Sequence, residues 1–125
     1  MGEWTGEELT GIGAAEELRI ATRRADGSPR PARTIWVVPH DGGLYVRSVN
    51  GPGAGWYRGT HNGGAHVSAG GVDSDVTFAD SFDDPALNDA LDTAYRDKYR
   101  RYSDDIVGSV TSDLARSTTL RLVRA

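Results

Sequence analysis

Residues 32–50, ARTIWVVPHDGGLYVRSVN, constrain the fold more than any other stretch of this chain. Two runs of β-branched and aromatic residues flank Asp41-Gly42-Gly43. An Asp-Gly pair between such runs is the chemistry of a tight turn joining antiparallel strands. The stretch therefore reads as a hairpin. A sheet grown from hairpins is antiparallel, since parallel neighbours need a long crossover between them.

The flanking sequence extends the pattern. Thr5, with Glu8 three residues on, forms a capping box, and Leu9 and Ile12 supply the inner face of a short N-terminal helix. ELRIATRR (17–24) alternates like a strand, and ADGSPRP (25–31) is turn chemistry. AHVSA (65–69), DVTFAD (75–80) and TTLRLV (118–123) read as further strands. A turn or two of helix is expected around Trp56–His61. Asp84 and Pro85 open a helix whose inner side carries Leu87, Leu91, Ala94, Tyr95, Tyr99 and Tyr102, with Asp92–Arg96 and Asp97–Arg101 as surface pairs. Ser103 or Asp104 caps a further segment that places Ile106, Val107, Val110 and Leu114 inward. The expected architecture is a single α+β domain over residues 1–125: a small antiparallel β-barrel of about six strands, with a short N-terminal helix and C-terminal helices.

Composition narrows the function. At 38% hydrophobic and 26% charged, with no apolar run longer than Ile35-Trp36-Val37-Val38, the chain reads as soluble, without a membrane span or a leader pattern. The absence of cysteine removes disulfides, thiolate nucleophiles and Cys-ligated metals, and makes the cytoplasm the expected location. A net charge of −4 argues against a nucleic-acid partner. The charge is unevenly spread, however. Seven arginines (19, 23, 24, 30, 33, 47, 58) face two acids between residues 19 and 58, whereas residues 59–95 hold seven aspartates and no Lys or Arg. This distribution describes either two solvated faces of opposite sign or a local site for a small anion.

NGPGAGWYRGTHNGG (50–64) lies at the end of the basic half. It is not a P-loop, which closes on Lys and Ser or Thr, nor a dinucleotide fingerprint, whose third glycine would fall at Trp56. His61 and His66 lie five apart, off the i, i+4 spacing of helical zinc ligands, and no metal site is expected. Ser48 lacks the surround of a nucleophile elbow, and DSD (73–75) lacks the rest of a calcium loop. The acidic residues of 73–84 read as solvated turns.

Gly27-Ser28-Pro29-Arg30 leading into the hairpin, and the Trp56-Tyr57 pair opening a short helix, resemble the flavin-binding split β-barrel superfamily. That superfamily includes the pyridoxamine-phosphate oxidases and the deazaflavin-dependent nitroreductases. YVRSVNGPGAGWYRG (45–59) is also similar to an uncharacterised small family within it. The resemblance spans roughly residues 17–80. After the aromatic pair the nitroreductases usually carry Asn-Leu and an Asn-Pro turn, where this chain has Arg58-Gly59 and His61-Asn62-Gly63-Gly64. Flavin mononucleotide (FMN) and a deazaflavin coenzyme both remain open as the implied cofactor.

The resemblance implies a cofactor site with Arg30, Arg33 and Thr34 at the start of one strand and Ser48, Val49 and Asn50 at the end of another. Gly51 and Gly53 would allow close approach of the backbone, with Trp56, Tyr57 and Arg58 following. Each has an alternative. Arg33 either binds phosphate or keeps an edge strand soluble; Trp56 either borders the ring or packs in a core or dimer contact; Tyr57 packs or donates its hydroxyl to substrate; Arg58 is a ligand or a solvated helix residue. The implied activity is hydride transfer to an unnamed small molecule, with no catalytic acid or base in evidence. A non-catalytic carrier or sensor of a small anionic ligand is the alternative. A homodimer with the site at its interface is expected, because residues 35–38 present apolar side chains on both faces of their strand.

Overall fold

The computed structural model describes residues 3–125. Helix α1 (Gly6–Ala14) opens on the capping box, with both reciprocal bonds between Thr5 and Glu8 in place. Strands β1 (Leu18–Ala21), β2 (Arg33–Ile35), β3 (Val37–His40) and β4 (Gly43–Val46) follow, then the short helix α2 (Gly55–Gly59). Strands β5 (Ala65–Ala69) and β6 (Val72–Asp80) precede helices α3 (Pro85–Lys98), α4 (Asp104–Thr111) and α5 (Asp113–Arg116), and β7 (Leu120–Arg124) closes the chain.

All seven strands form one antiparallel sheet in the order β2-β1-β5-β6-β7-β4-β3. Its two end strands, β2 and β3, are consecutive in the chain with only Trp36 between them. A sheet whose ends meet at one residue must curl round on itself, which gives a nearly closed barrel. The expected strand over 32–40 is thus two strands. Residues 33–35 pair with β1, and only 37–40 form the hairpin with β4, in the register Val37↔Val46 to His40↔Gly43. Asp41 (φ 47°) and Gly42 (φ 80°) sit in the left-handed region that a tight hairpin turn of this twist requires.

The barrel interior holds Leu18, Ile20, Val37, Leu44, Val46, Val67, Val76 and Leu122, all at most 1% exposed. Helix α1 covers one part of it through Ile12, and the Trp4 indole donates to the Leu122 carbonyl at 3.1 Å. A second core lies outside the barrel, where Leu91 and Tyr95 of α3, Tyr99 just beyond its end, and Val107 and Val110 of α4 pack on Val38 and Tyr45. Every residue of β4 is buried, because the barrel covers one face and the helices the other. The same holds for residues 37 and 38, so their apolar pattern is satisfied within one chain.

Helix α3 starts as its sequence indicates: Asp84 accepts from Leu87 N and Pro85 takes the first turn. The expected surface pairs along it are not made. Asp92 is buried and pairs with Arg47 and Arg116, Asp97 meets Arg100, and Arg101 reaches Glu16. Ile106 and Leu114, expected inward, are 48% and 54% exposed, since α4 and α5 present only Val107, Val110 and Ala115 to the interior. Strand β6 begins at Val72, so Asp73 and Asp75 belong to a strand and not a turn, and both flank His66 on β5. Those two carboxylates raise the pKa of His66. Among the described residues no helix is long and apolar enough to cross a membrane.

Candidate functional site

A cleft of about 580 Å³ opens where the start of β2, the chain after β4, the approach to α2 and one side of α4 converge. Its size lies in the usual range of small-molecule sites, roughly 300–1,000 Å³. Arg30, Arg33 and Thr34 enter it from the second strand, and Ser48, Val49 and Asn50 from the turn beyond β4. Trp56 borders it from α2. These are the sequence-expected residues that the fold brings together.

Arg30 is fixed by its backbone, which donates to Thr22 O at 2.8 Å as part of the 23–30 turn. Its guanidinium lies so close over Gly55 that a β-carbon there would stand 3.3 Å from Nη1. Arg30 Nε is buried and has no hydrogen-bond partner. The half-exposed side chain as a whole lines the cleft, where a guanidinium can hold an anionic group. Arg33 is exposed at the first position of β2. Among the described residues neither arginine has a carboxylate within ion-pair distance. Arg23 and Arg24 are spent on the carbonyls of Gly27 and Pro29, which hold the turn that presents Arg30.

Other expected members lie elsewhere. Arg58 is exposed on α2 and does not reach the cleft. Tyr57 is half-buried against the barrel core, edge-on to Trp56 and His61, and its burial with nearby Asp80 raises its pKa. Gly51 and Gly53 do not line the cleft. Gly51 is needed for the turn itself: its φ is 76°, and a β-carbon would fall 2.6 Å from Leu114. Gly53 has open space around it and no positive φ, so a side chain there would meet no strain from the protein. The Ser48 hydroxyl donates to Gly51 O at 2.8 Å and is occupied in shaping this corner.

Arg47 belongs to the structure more than to the basic strip. It is 2% exposed, and all five of its N–H donors are satisfied. Nε reaches Thr119 Oγ1, Nη1 reaches Asp92 Oδ1 and Val110 O, and Nη2 reaches Asn88 O and Oδ1. Contributions from two places in the fold, four residues in all, were not assigned to the site from the sequence. Trp36 reads as one residue of a strand, yet it sits at the junction of β2 and β3, lines the cleft and stacks on Tyr99 with centroids 3.7 Å apart. Ile106, Ser109 and Val110 come from α4, whose periodicity marks an apolar face without saying what the adjoining face meets.

The cleft thus joins two cations free of carboxylate partners to two indoles and aliphatic side chains. Among the described residues no carboxylate, histidine or lysine lines it. Such a surface suits a flat aromatic ligand that carries an anionic group.

The fold is shared with known structures. A conserved hypothetical protein of Mycobacterium tuberculosis superposes with a TM-score of 0.62 at 10% identity, covering 99% of this chain and 81% of its own. A Listeria innocua protein provisionally named as a pyridoxamine 5′-phosphate oxidase gives 0.61 at 14% identity, with 95% and 90% covered. An F420 reductase gives 0.55 at 17%, with 97% and 94% covered. The architecture is therefore the split antiparallel β-barrel that these structures share. The chain belongs to the family described as uncharacterized protein conserved in bacteria (DUF2255), which matches residues 8–122. No curated protein matches the sequence.

Proposed function

We propose that the cleft binds a flavin or deazaflavin coenzyme by its phosphate and that the protein is an oxidoreductase acting by hydride transfer. The single observation that carries this reading is the pair Arg30 and Arg33, without carboxylate partners among the described residues, in a cleft flanked by Trp36 and Trp56. The barrel type, shared with proteins named for flavin-linked activities, supports it. The cofactor's ring would supply the hydride chemistry. Arg30 and Arg33 would hold the phosphate, the two indoles and Val49 and Ile106 would exclude water from the ring, and Thr34 and Asn50 offer polar contacts at the edge. The lack of a titratable acid or base in the cleft is compatible with a reaction that needs none from the protein.

Charge-assisted bonds from arginine to phosphate contribute about 1.5–3 kcal/mol each. Arg33→Ala should therefore weaken binding of FMN or of the deazaflavin by about ten- to a hundredfold, read by fluorescence titration. Rising salt should weaken it further in the wild type. Affinity unchanged by the substitution would remove the phosphate from this end of the cleft.

The same reading includes a homodimer. Val49, Ile106 and Leu114 are all about half exposed; the first two line the cleft, and Leu114 lies against the Gly51 corner beside it. A second copy covering them would close the site. Light scattering should give a mass near twice 13.4 kDa, and a monomer at every concentration would contradict the shared site.

A further inference from the structure

The Trp36 ring does not stand alone. It stacks on Tyr99 at 3.7 Å with the planes 4° apart, and Tyr102 lies 5.1 Å from it at 48°. Trp36 lines the cleft, whereas the half-buried Tyr102 donates its hydroxyl to the Glu16 carboxylate. An unbroken set of aromatic rings therefore runs from the ligand site to an acid near the surface. Packing alone requires neither the terminal carboxylate nor the coplanar stack.

We propose that Trp36, Tyr99 and Tyr102 form a one-electron relay that connects a ring bound in the cleft to Glu16. The proposal rests on the reading of the cleft as a flavin or deazaflavin site. The oxidant is that ring in its photoexcited state. One electron passes from the Trp36 indole to the excited ring, and Tyr102 refills the indole, directly or through Tyr99. The Tyr102 O–H bond breaks as its electron leaves, and its proton goes to Glu16. The net result is one electron gained by the ring, one electron and one proton lost by Tyr102, and one proton gained by Glu16. Return of both restores the starting state and dissipates the excitation.

Local electrostatics direct the hole to Tyr102. The Lys98 ammonium stands 5.1 Å over the Tyr99 ring, opposing positive charge there, and the Tyr99 hydroxyl donates to the backbone carbonyls of Glu16 and Val37, which are not bases. Arg101 faces the Tyr102 ring at 5.4 Å, but a tyrosine that gives up its proton ends neutral and is not opposed by that cation. The hydrogen bond from Tyr102 and the charge of Arg101 hold Glu16 below the usual carboxylate range, so it is ionised at neutral pH.

The test uses FMN and, in parallel, a deazaflavin coenzyme as probes, with the bound fraction established by ultrafiltration before any optical measurement. Bound probe should emit with a strongly shortened lifetime in the wild type. Trp36→Phe should lengthen it several-fold. Tyr102→Phe, which keeps the ring and its packing, should retain the quenching but lose the tyrosyl signal after a flash. Probe that is retained but unquenched, or quenching unchanged by Trp36→Phe, would overturn the relay and leave the binding site standing. Probe that is not retained would overturn both.

Discussion

Replacing Arg47 with methionine should cost the fold about 3–5 kcal/mol, the usual consequence of removing one partner from a buried ion pair. The guanidinium ties β4 to α3 through Asn88 and Asp92, to the last turn of α4 through Val110 O, and to β7 through Thr119. It also lies 5.4 Å over the Tyr95 ring. Without it Asp92, 6% exposed, keeps only Arg116, at 2.8 Å. Urea denaturation reads the loss. The double variant Arg47→Met/Asp92→Leu should recover part of it, because the stranded carboxylate goes too. A single variant within about 1 kcal/mol of wild type would mean that Asp92 rehydrates freely once its partner leaves.

Leu91→Ala should destabilise by about 2–5 kcal/mol, the range for leucine truncated in a closed core. Leu91 is fully buried in the cluster formed by Val38, Tyr45, Tyr95 and the α4 valines. That cluster seats α4, which carries Ile106 and Ser109 to the cleft, so the same variant should loosen any ligand held there. A midpoint shift within error would show that the helices ride on the barrel without being packed to it.

The sequence marks features whose causes are local. The Thr5/Glu8 capping box, the Asp84-Pro85 helix start and the Asp41-Gly42 turn each depend on residues within a turn or two of one another, and each forms as read; the tyrosine stripe does so only in part, since α3 ends at Lys98 and Tyr99 and Tyr102 lie beyond it. Features set by distant partners were not legible. Nothing within Ile35-Trp36-Val37 shows that the chain changes partner from β1 to β4 at the tryptophan, because strand pairing is decided by segments far along the chain. Arg47 looks like one more solvated arginine until Asn88, Asp92 and Thr119, more than forty positions away, close around it. Asp92 misleads in the same way: its i+4 arginine is real in sequence, but helix α3 turns the carboxylate inward.

The site divides along the same line. Arg30, Arg33 and Trp56, which the resemblance to flavin-binding barrels singled out, all line the cleft. Arg58 and Tyr57 share that stretch but point away, since a helix as short as α2 offers only one or two positions to the cleft. Ile106 and Ser109 arrive from a helix fifty residues further on, which no local pattern could assign to a ligand.

The most direct measurement is a titration of FMN and of a deazaflavin coenzyme into the wild-type protein, followed by absorbance and by ultrafiltration, with Arg30→Ala alongside. The arrangement of Arg30, Arg33 and the two indoles predicts saturable retention of one of them, with a dissociation constant on the order of tens of micromolar or tighter, a shifted ring spectrum, and clear weakening in Arg30→Ala. Retention of neither at that concentration, or binding indifferent to Arg30, would contradict the cofactor reading and leave the cleft to a different small anion.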